Sequence, residues 1–287
     1  MRRAFGYCVL CYFSAFGIAL AVGAALRGEH PLWVALAADL AATLVVFGFS
    51  VGFDNSSLYD PYWSVAPLPL GVYFALQAEP AASDVRTVLV LGLVALWGAR
   101  LTYNFLRGWQ GLAHEDWRYV DLRRSTGRAY WLVSLLGIHV FPTLIVFAGC
   151  LPLYAALARG SRPLGVLDAI AAAVTLLAIA IETAADEQLR RFRLRKDRRP
   201  EEILDSGLWA RSRHPNYLGE MSFWWGLWLF ALAASADSSW TVLGPLAVTS
   251  LFCVVSVRLL DKRMLQRRPR YAERMRNVPA FVPYRWW

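Results

Sequence analysis

The amino-acid sequence predicts an all-α, polytopic bundle of membrane helices, and two observations carry that prediction. Of the 287 residues, 57% are hydrophobic and only 18% are charged, too apolar a balance for an ordinary soluble domain. The apolar residues are also gathered into runs close to the ~20 residues that a membrane helix needs. These runs cover Phe5–Leu26, Pro31–Phe53, Val85–Leu106, Tyr130–Leu157, Leu164–Thr183, Leu218–Ala236 and Thr241–Leu259. A shorter, proline-rich run at Ser64–Leu76 either spans, re-enters or lies in the interface, so seven to eight membrane helices are expected.

The first run follows Met1-Arg2-Arg3 like a signal peptide, yet it is of spanning length and has no clear small-residue cleavage site, so it is expected to stay as a membrane helix. After the second run, Asp54–Ser64 gathers Tyr59, Asp60 and Tyr62 around Pro61. Such a segment either turns the chain or presents proton donors. In the third run Arg100, Tyr103 and Asn104 share a helical face by i, i+3, i+4 spacing, which sets a cation, a phenol and an amide side by side. The connection Arg107–Arg128 spaces Trp109, His114, Glu115, Trp117, Arg118 and Tyr119 as a helix would, and predicts a cytoplasmic amphipathic helix in the headgroup plane. Asp39 and His139 lie in spans with no motif around them and are expected to pair between helices.

Toward the C-terminus, Glu182, Asp186 and Arg190 follow at i, i+4, i+8, and Arg193 continues the stripe out of the membrane. A stripe of this kind lines a helix contact or a water-filled cavity. The basic loop that follows is broken by Pro200 and Gly207, and then Arg213-His214-Pro215-Asn216-Tyr217 opens a tryptophan-rich helix. A helix mouth of that composition suits an anion, because its first amides lack partners and its dipole favours negative charge. Trp224, Trp225 and Trp228 read as core or interface residues. The tail beyond Asp261 mixes arginines with Tyr271, Phe281, Tyr284, Trp286 and Trp287, and is expected to fold back on the basic mouth or to sit as an interfacial belt.

The net charge of +9 has a topological origin. With eight spans, 25 of the 30 Lys and Arg residues fall on one face and only Arg27, Arg86, Arg159 and Arg162 on the other. The positive-inside rule then puts both termini and the basic loops in the cytoplasm, and no nucleic-acid partner is needed. Cys8 and Cys11 form a C-x-x-C inside an apolar helix, while Cys150 and Cys253 stand alone, so neither a redox motif nor a metal site is expected.

Arg213-His-Pro-Asn-Tyr-Leu-Gly-Glu220 resembles the C-terminal part of the steroid 5α-reductase and sterol reductase superfamily, most closely a bacterial branch of largely uncharacterised membrane proteins. The likeness extends to Asp186-Glu-Gln-Leu-Arg-Arg-Phe-Arg193 upstream, and to Arg258-Leu-Leu-Asp-Lys-Arg263 and Tyr271–Pro283 downstream. It implies a site for NADPH in a bacterial inner membrane. Asp186 and Asn216 would hydrogen-bond the cofactor, and Arg190, Arg193 and Arg258 would neutralise phosphate. Trp209 would stack on it, Tyr217 and Glu220 would sit near the nicotinamide, and Lys262 or Arg263 would meet the 2′-phosphate side. Arg100, Asn104, Arg213 and His214 join the same cofactor-binding set. A phosphate-rich dinucleotide needs several cations, and arginine supplies them bidentately.

In that superfamily a glutamate and a tyrosine on early helices polarise a substrate ketone. Here Asp60 stands nearest the glutamate and Trp97 takes the tyrosine's place, which favours a lipid or isoprenoid-like substrate over a steroid. The expectation is one membrane domain, with the helices of 1–157 forming the substrate cavity and 158–287 binding the cofactor. The resemblance implies an NADPH-dependent reduction of a carbon–carbon double bond, with Tyr62, Asp60 and Tyr103 as candidate catalytic donors. An S-adenosylmethionine-dependent methyltransferase is the alternative, since isoprenylcysteine and phospholipid methyltransferases share an Arg-His-Pro-x-Tyr-x-Gly turn. Glu220 directly after Gly219, and Asp261-Lys262 in place of a Glu-Glu pair, favour the reductase. A non-catalytic lipid-binding protein is the third class.

Overall fold

The computed structural model describes residues 2–79 and 82–282, and every regular element in them is helical. Pro283, Tyr284, Trp286 and Trp287 of the tail lie outside the described residues. Helix α1 (Arg2–Ala25) and helix α2 (Pro31–Gly52) form a hairpin. The His30 ring caps α2 by accepting the Leu32 N–H, and Pro31 occupies the first helical position, where its missing N–H costs nothing. The Ser64–Leu76 run is divided at Ala66–Pro67 into α3 (Tyr62–Val65) and α4 (Pro67–Leu76), neither of which is long enough alone to cross a bilayer. Helix α5 (Asp84–Gly108) opens on Ser83, whose hydroxyl accepts the Arg86 N–H.

A continuous helical stretch, Trp117–Leu157, follows. It contains α6 (Trp117–Thr126), α7 (Tyr130–Val133), a wider π-type segment Ser134–Val140, α8 (Phe141–Gly149) and α9 (Leu151–Leu157). Of the expected amphipathic helix only α6 forms, because Trp109–Asp116 is irregular and Gly111 takes a φ of 87°. Helix α10 (Val166–Leu194) is followed by α11 (Pro215–Ala234), α12 (Leu243–Ser250), a second π-type segment Leu251–Ser256, α13 (Val257–Arg267) and α14 (Tyr271–Asn277).

Six helical stretches are long and apolar enough to cross a membrane: Arg3–Ala25, Pro31–Gly52, Asp84–Gly108, Trp117–Leu157, Val166–Leu194 and Ala236–Arg267. Helix α11 is absent from that set although it has 20 residues, because Asn216, Glu220 and its polar-tipped aromatics dilute its apolar character. It lies instead at the centre, with Glu220, Phe223, Trp224, Leu227 and Phe230 buried. Trp97 stacks flat on Phe223 at 4.4 Å in this core.

Two glycines set how closely α10 and α11 approach. A Cβ on Gly219 would stand 2.7 Å from the Glu182 Cβ, and one on Gly226 would overlap Thr175. At one end of the bundle Arg159 pairs with Glu79 at 2.6 Å, Ser161 N–H donates to the Ala234 carbonyl, and Arg86 reaches the Arg162 and Pro163 carbonyls. Arg86 is fully buried and grips both oxygens of Asp168, at 2.7 and 3.0 Å. At the opposite end Asn55 donates to the Leu112 and His114 carbonyls, Arg107 pairs with Glu187, and Arg263 pairs with Asp121. His139 bridges Ser50 and the Ser134 carbonyl, the helix-pairing role expected of it.

Candidate functional site

The last turns of α10, the end of α5 and the start of α11 converge on three carboxylates. Arg100 pairs with Glu182 at 2.6 Å and with Asp186 at 3.0 Å, and Asn104 donates to the same Asp186 oxygen at 3.0 Å. Asn216 faces Asp186 from the first turn of α11. Glu220, one turn further on, accepts the indole N–H groups of Trp63 at 2.7 Å, Trp97 at 2.9 Å and Trp224 at 3.0 Å. Two carboxylates therefore share one guanidinium, with Glu220 a third acid nearby, in a low-dielectric setting where unpaired polar groups are costly. Glu182 Oε2 and Arg100 Nε remain buried without hydrogen-bond partners, while Arg100 Nη2 is taken up by the ion pair to Glu182 Oε1.

The i, i+3, i+4 expectation holds for two of its three residues. Arg100 and Asn104 face α10, whereas Tyr103 is 62% exposed and lies under the Arg107 guanidinium. On a helix, i+3 and i+4 fall on either side of i, about 100° apart, and α10 covers only the Asn104 side. Tyr103 is thus held away from the carboxylates.

Arg213 and His214 at the mouth of α11 serve the tail. Asp261 is buried on α13 and receives Arg213 at 3.0 Å, His214 at 3.0 Å and the Tyr271 hydroxyl at 2.7 Å. Arg213 also donates to the Met275 and Val278 carbonyls, and the Arg213 and His214 backbone N–H groups bond the Pro279 and Ala280 carbonyls. The tail folds back on the basic mouth, as one of the two expectations had it. Trp209 donates to the Ala185 carbonyl and itself receives Arg274, which docks the loop on α10. Arg190 is paired with Glu187, and Arg263 lies 3.6 Å over the Trp117 ring.

Arginines that form no ion pair among the described residues gather beside this cleft. Arg193 lies near Asp186 and Tyr217. Burial, reinforced by Arg198, Arg267 and Arg193 nearby, holds the Arg268 guanidinium below its ordinary pKa. Arg193, Arg258 and Lys262 are exposed, and among the described residues they form no ion pair. Arg198, Arg267 and Arg268 are not in the cofactor-binding set expected from the sequence. The basic runs Arg195–Arg199 and Arg267–Arg270 were their only signal.

The Asp54–Ser64 segment is locked against the 112–119 loop. Glu115 accepts the Ser56 N–H at 2.7 Å, and the Tyr119 hydroxyl donates to Asp60 at 2.6 Å. Burial pushes the Asp60 carboxyl up to about 6, although Arg118 and the Tyr119 hydroxyl act in the opposite sense. The Tyr62 hydroxyl donates to Asp39 Oδ1 at 2.6 Å and to the Asp39 carbonyl at 3.0 Å. Tyr62 and Asp39 line a cavity of about 600 Å³ between α1, α2, α3 and α4. The neighbouring side chains Tyr62 and Trp63 therefore reach different sites, the cavity and Glu220. Trp63 is a contact that the sequence reading missed, and Trp224 proves to be a core residue that also serves the carboxylate.

A helical bundle with six stretches fit to cross a bilayer, and an ionic cluster buried at the helix ends, defines an integral membrane protein. The chain belongs to the family described as protein of unknown function DUF1295, whose model matches residues 18–278. An uncharacterised protein of Schizosaccharomyces pombe is 29% identical over 276 residues, covering 88% of this chain and 80% of the relative. No solved structure matches the chain.

Proposed function

We propose that the protein is an NADPH-dependent reductase of a carbon–carbon double bond in a hydrophobic, lipid or isoprenoid-like substrate. The observation that supports this reading is the gathering of Arg193, Arg198, Arg267 and Arg268, none of which forms an ion pair among the described residues, beside a cleft of acids and amides. Clustered arginines repel one another unless a polyanion lies between them, and a phosphorylated dinucleotide is such a polyanion. The unpartnered Glu182 Oε2 and Arg100 Nε fit a ligand with amide and hydroxyl groups. Asp186, Asn216, Tyr217 and Glu220 would hold the nicotinamide end, and Arg193, Arg258, Lys262 and the Arg267–Arg268 pair the phosphates. When bound, NADPH supplies a hydride.

The chain's own part is to position and to protonate. The tryptophans Trp63, Trp97 and Trp224 fix Glu220 and exclude water around it. Tyr62, hydrogen-bonded to Asp39, and Asp60, held by Tyr119, are the groups able to carry a proton toward the substrate cavity. A donor aimed at charge developing on a substrate oxygen contributes ~3 kcal/mol. The two-ended arrangement of loops supports eight crossings, with α3 and α4 together making one and α11 another, and with the basic end in the cytoplasm.

Purified protein is expected to melt higher with NADPH than with NADH, and to be indifferent to S-adenosylmethionine. Arg193→Ala and Asn216→Ala should each weaken NADPH binding by roughly tenfold or more. Unchanged affinity in both variants refutes the assignment, and protection by S-adenosylmethionine alone replaces it with a methyltransferase.

A further inference from the structure

The cavity between α1, α2, α3 and α4 has a definite chemical character. Small side chains open it, among them Ala15, Ala19, Ala35 and Ala38, with Leu70 and Tyr73 completing an apolar wall. Its volume of about 600 Å³ falls in the ~300–1,000 Å³ range of pockets that enclose small organic molecules. Arg27, Glu29 and Gln77 line the end near the α1–α2 turn. Asp39 lies eight residues into α2 from Pro31, roughly 12 Å deeper along the helix axis.

Asp39 is 5% exposed, and its Oδ2 has no hydrogen-bond partner. No Lys or Arg pairs with it; its one side-chain partner among the described residues is the Tyr62 hydroxyl on Oδ1. A polar atom left in this state at membrane depth costs free energy that a ligand can recover. A hydroxyl both donates and accepts, so it can pair with this carboxyl whichever way the proton stands, whereas a carbonyl or an ether can only accept.

We infer that this cavity binds an amphiphile bearing a hydroxyl group, with the apolar body along the alanine wall and the hydroxyl hydrogen-bonded to Asp39. The inference rests on the reductase reading only in taking this cavity as the substrate's place; the hydroxyl is the group that sets the substrate's register, distinct from the bond that is reduced. Asp39 is thereby a specificity-determining residue, and Tyr62 holds it in position.

The test uses the full chain in lipid nanodiscs without any nucleotide, with farnesol and farnesyl methyl ether as probes and the melting midpoint as readout. The wild type should bind farnesol at least about tenfold more tightly than the ether. Asp39→Leu should bind both alike while staying folded, because the Tyr62 hydroxyl keeps the residue-39 carbonyl at 3.0 Å. Ala38→Phe fills the cavity and should abolish binding of both probes. Equal binding of the two probes by the wild type overturns the inference, as does a farnesol preference that survives Asp39→Leu, or protection by neither probe. If Asp39→Leu does not fold, the wild-type comparison and Ala38→Phe still decide. Because no nucleotide is present, failure here leaves NADPH protection untouched, and loss of NADPH protection leaves this result untouched.

Discussion

Replacing Glu220 by Gln preserves the shape of the side chain and changes what its end offers to three indoles. In the native protein Oε1 accepts from Trp63 and Trp224, and Oε2 accepts from Trp97 at 2.9 Å. An amide has a single acceptor oxygen. If that oxygen takes the Oε1 place, the Trp97 N–H faces an NH₂ group, and the opposite orientation leaves two indoles unpaired. The better arrangement still orphans one donor on a fully buried Trp97, at ~1–3 kcal/mol, and weakens two charge-assisted bonds to neutral ones. The loss should total about 3 kcal/mol, with relief of repulsion from Glu182 and Asp186 acting in the opposite sense. Reversible denaturation in mixed micelles would measure it, and the Glu220→Gln/Trp97→Phe cycle isolates the pair. The double variant should fall short of the summed single losses by ~1–3 kcal/mol. Additivity within ~0.5 kcal/mol would refute the shared-carboxylate geometry.

Three other outcomes follow from the same physics. Arg86→Met should cost ~3–5 kcal/mol by stranding the buried Asp168 carboxylate, and Arg86→Met/Asp168→Leu should recover most of it; equal losses in the single and double variants would show that the pair is not coupled. Gly219→Ala places a methyl 2.7 Å from the Glu182 Cβ, so α10 and α11 must part, at ~1–3 kcal/mol, and NADPH affinity should fall with stability; an unchanged melting point and affinity would contradict that close packing. Asp60 keeps its proton up to about 6 in the folded chain and to about 4 in an unfolded one, so the folded state binds more protons in between. Its stabilising contribution is complete below about pH 4 and is lost as pH rises to about 6; Asp60→Asn should remove that slope from the pH dependence of melting, and an identical profile would deny it.

Two carboxylates on one guanidinium, with Glu220 nearby, do not make a self-satisfied structural network, since Glu182 and Arg100 both retain buried polar atoms without partners. Both oxygens of Asp168 are held by Arg86, and those of Asp261 by Arg213, His214 and Tyr271, although Arg213 Nε is also buried without a partner.

The sequence by itself determined the all-helical class, most of the spanning stretches and the polar faces that carry Arg100 with Asn104 and Glu182 with Asp186, because hydrophobic run length and helical spacing are local properties of the chain. It also marked Glu220 and the Asp186–Arg193 stripe, since acids and arginines beside a membrane helix are conspicuous in one dimension. Only the tertiary structure decided which polar residues meet. Arg213 and His214 look like an anion site in sequence, yet Asp261, 47 residues beyond His214, draws both into the tail. Nothing in the sequence joins Trp63 and Trp97 until Glu220, 157 and 123 residues away, is brought between them. Asp39 has no motif at all, and its meaning comes from a cavity whose walls belong to four separate helices. The reason in each case is the same: desolvation of a buried charge is settled by partners distant in the chain, and no local spacing encodes them.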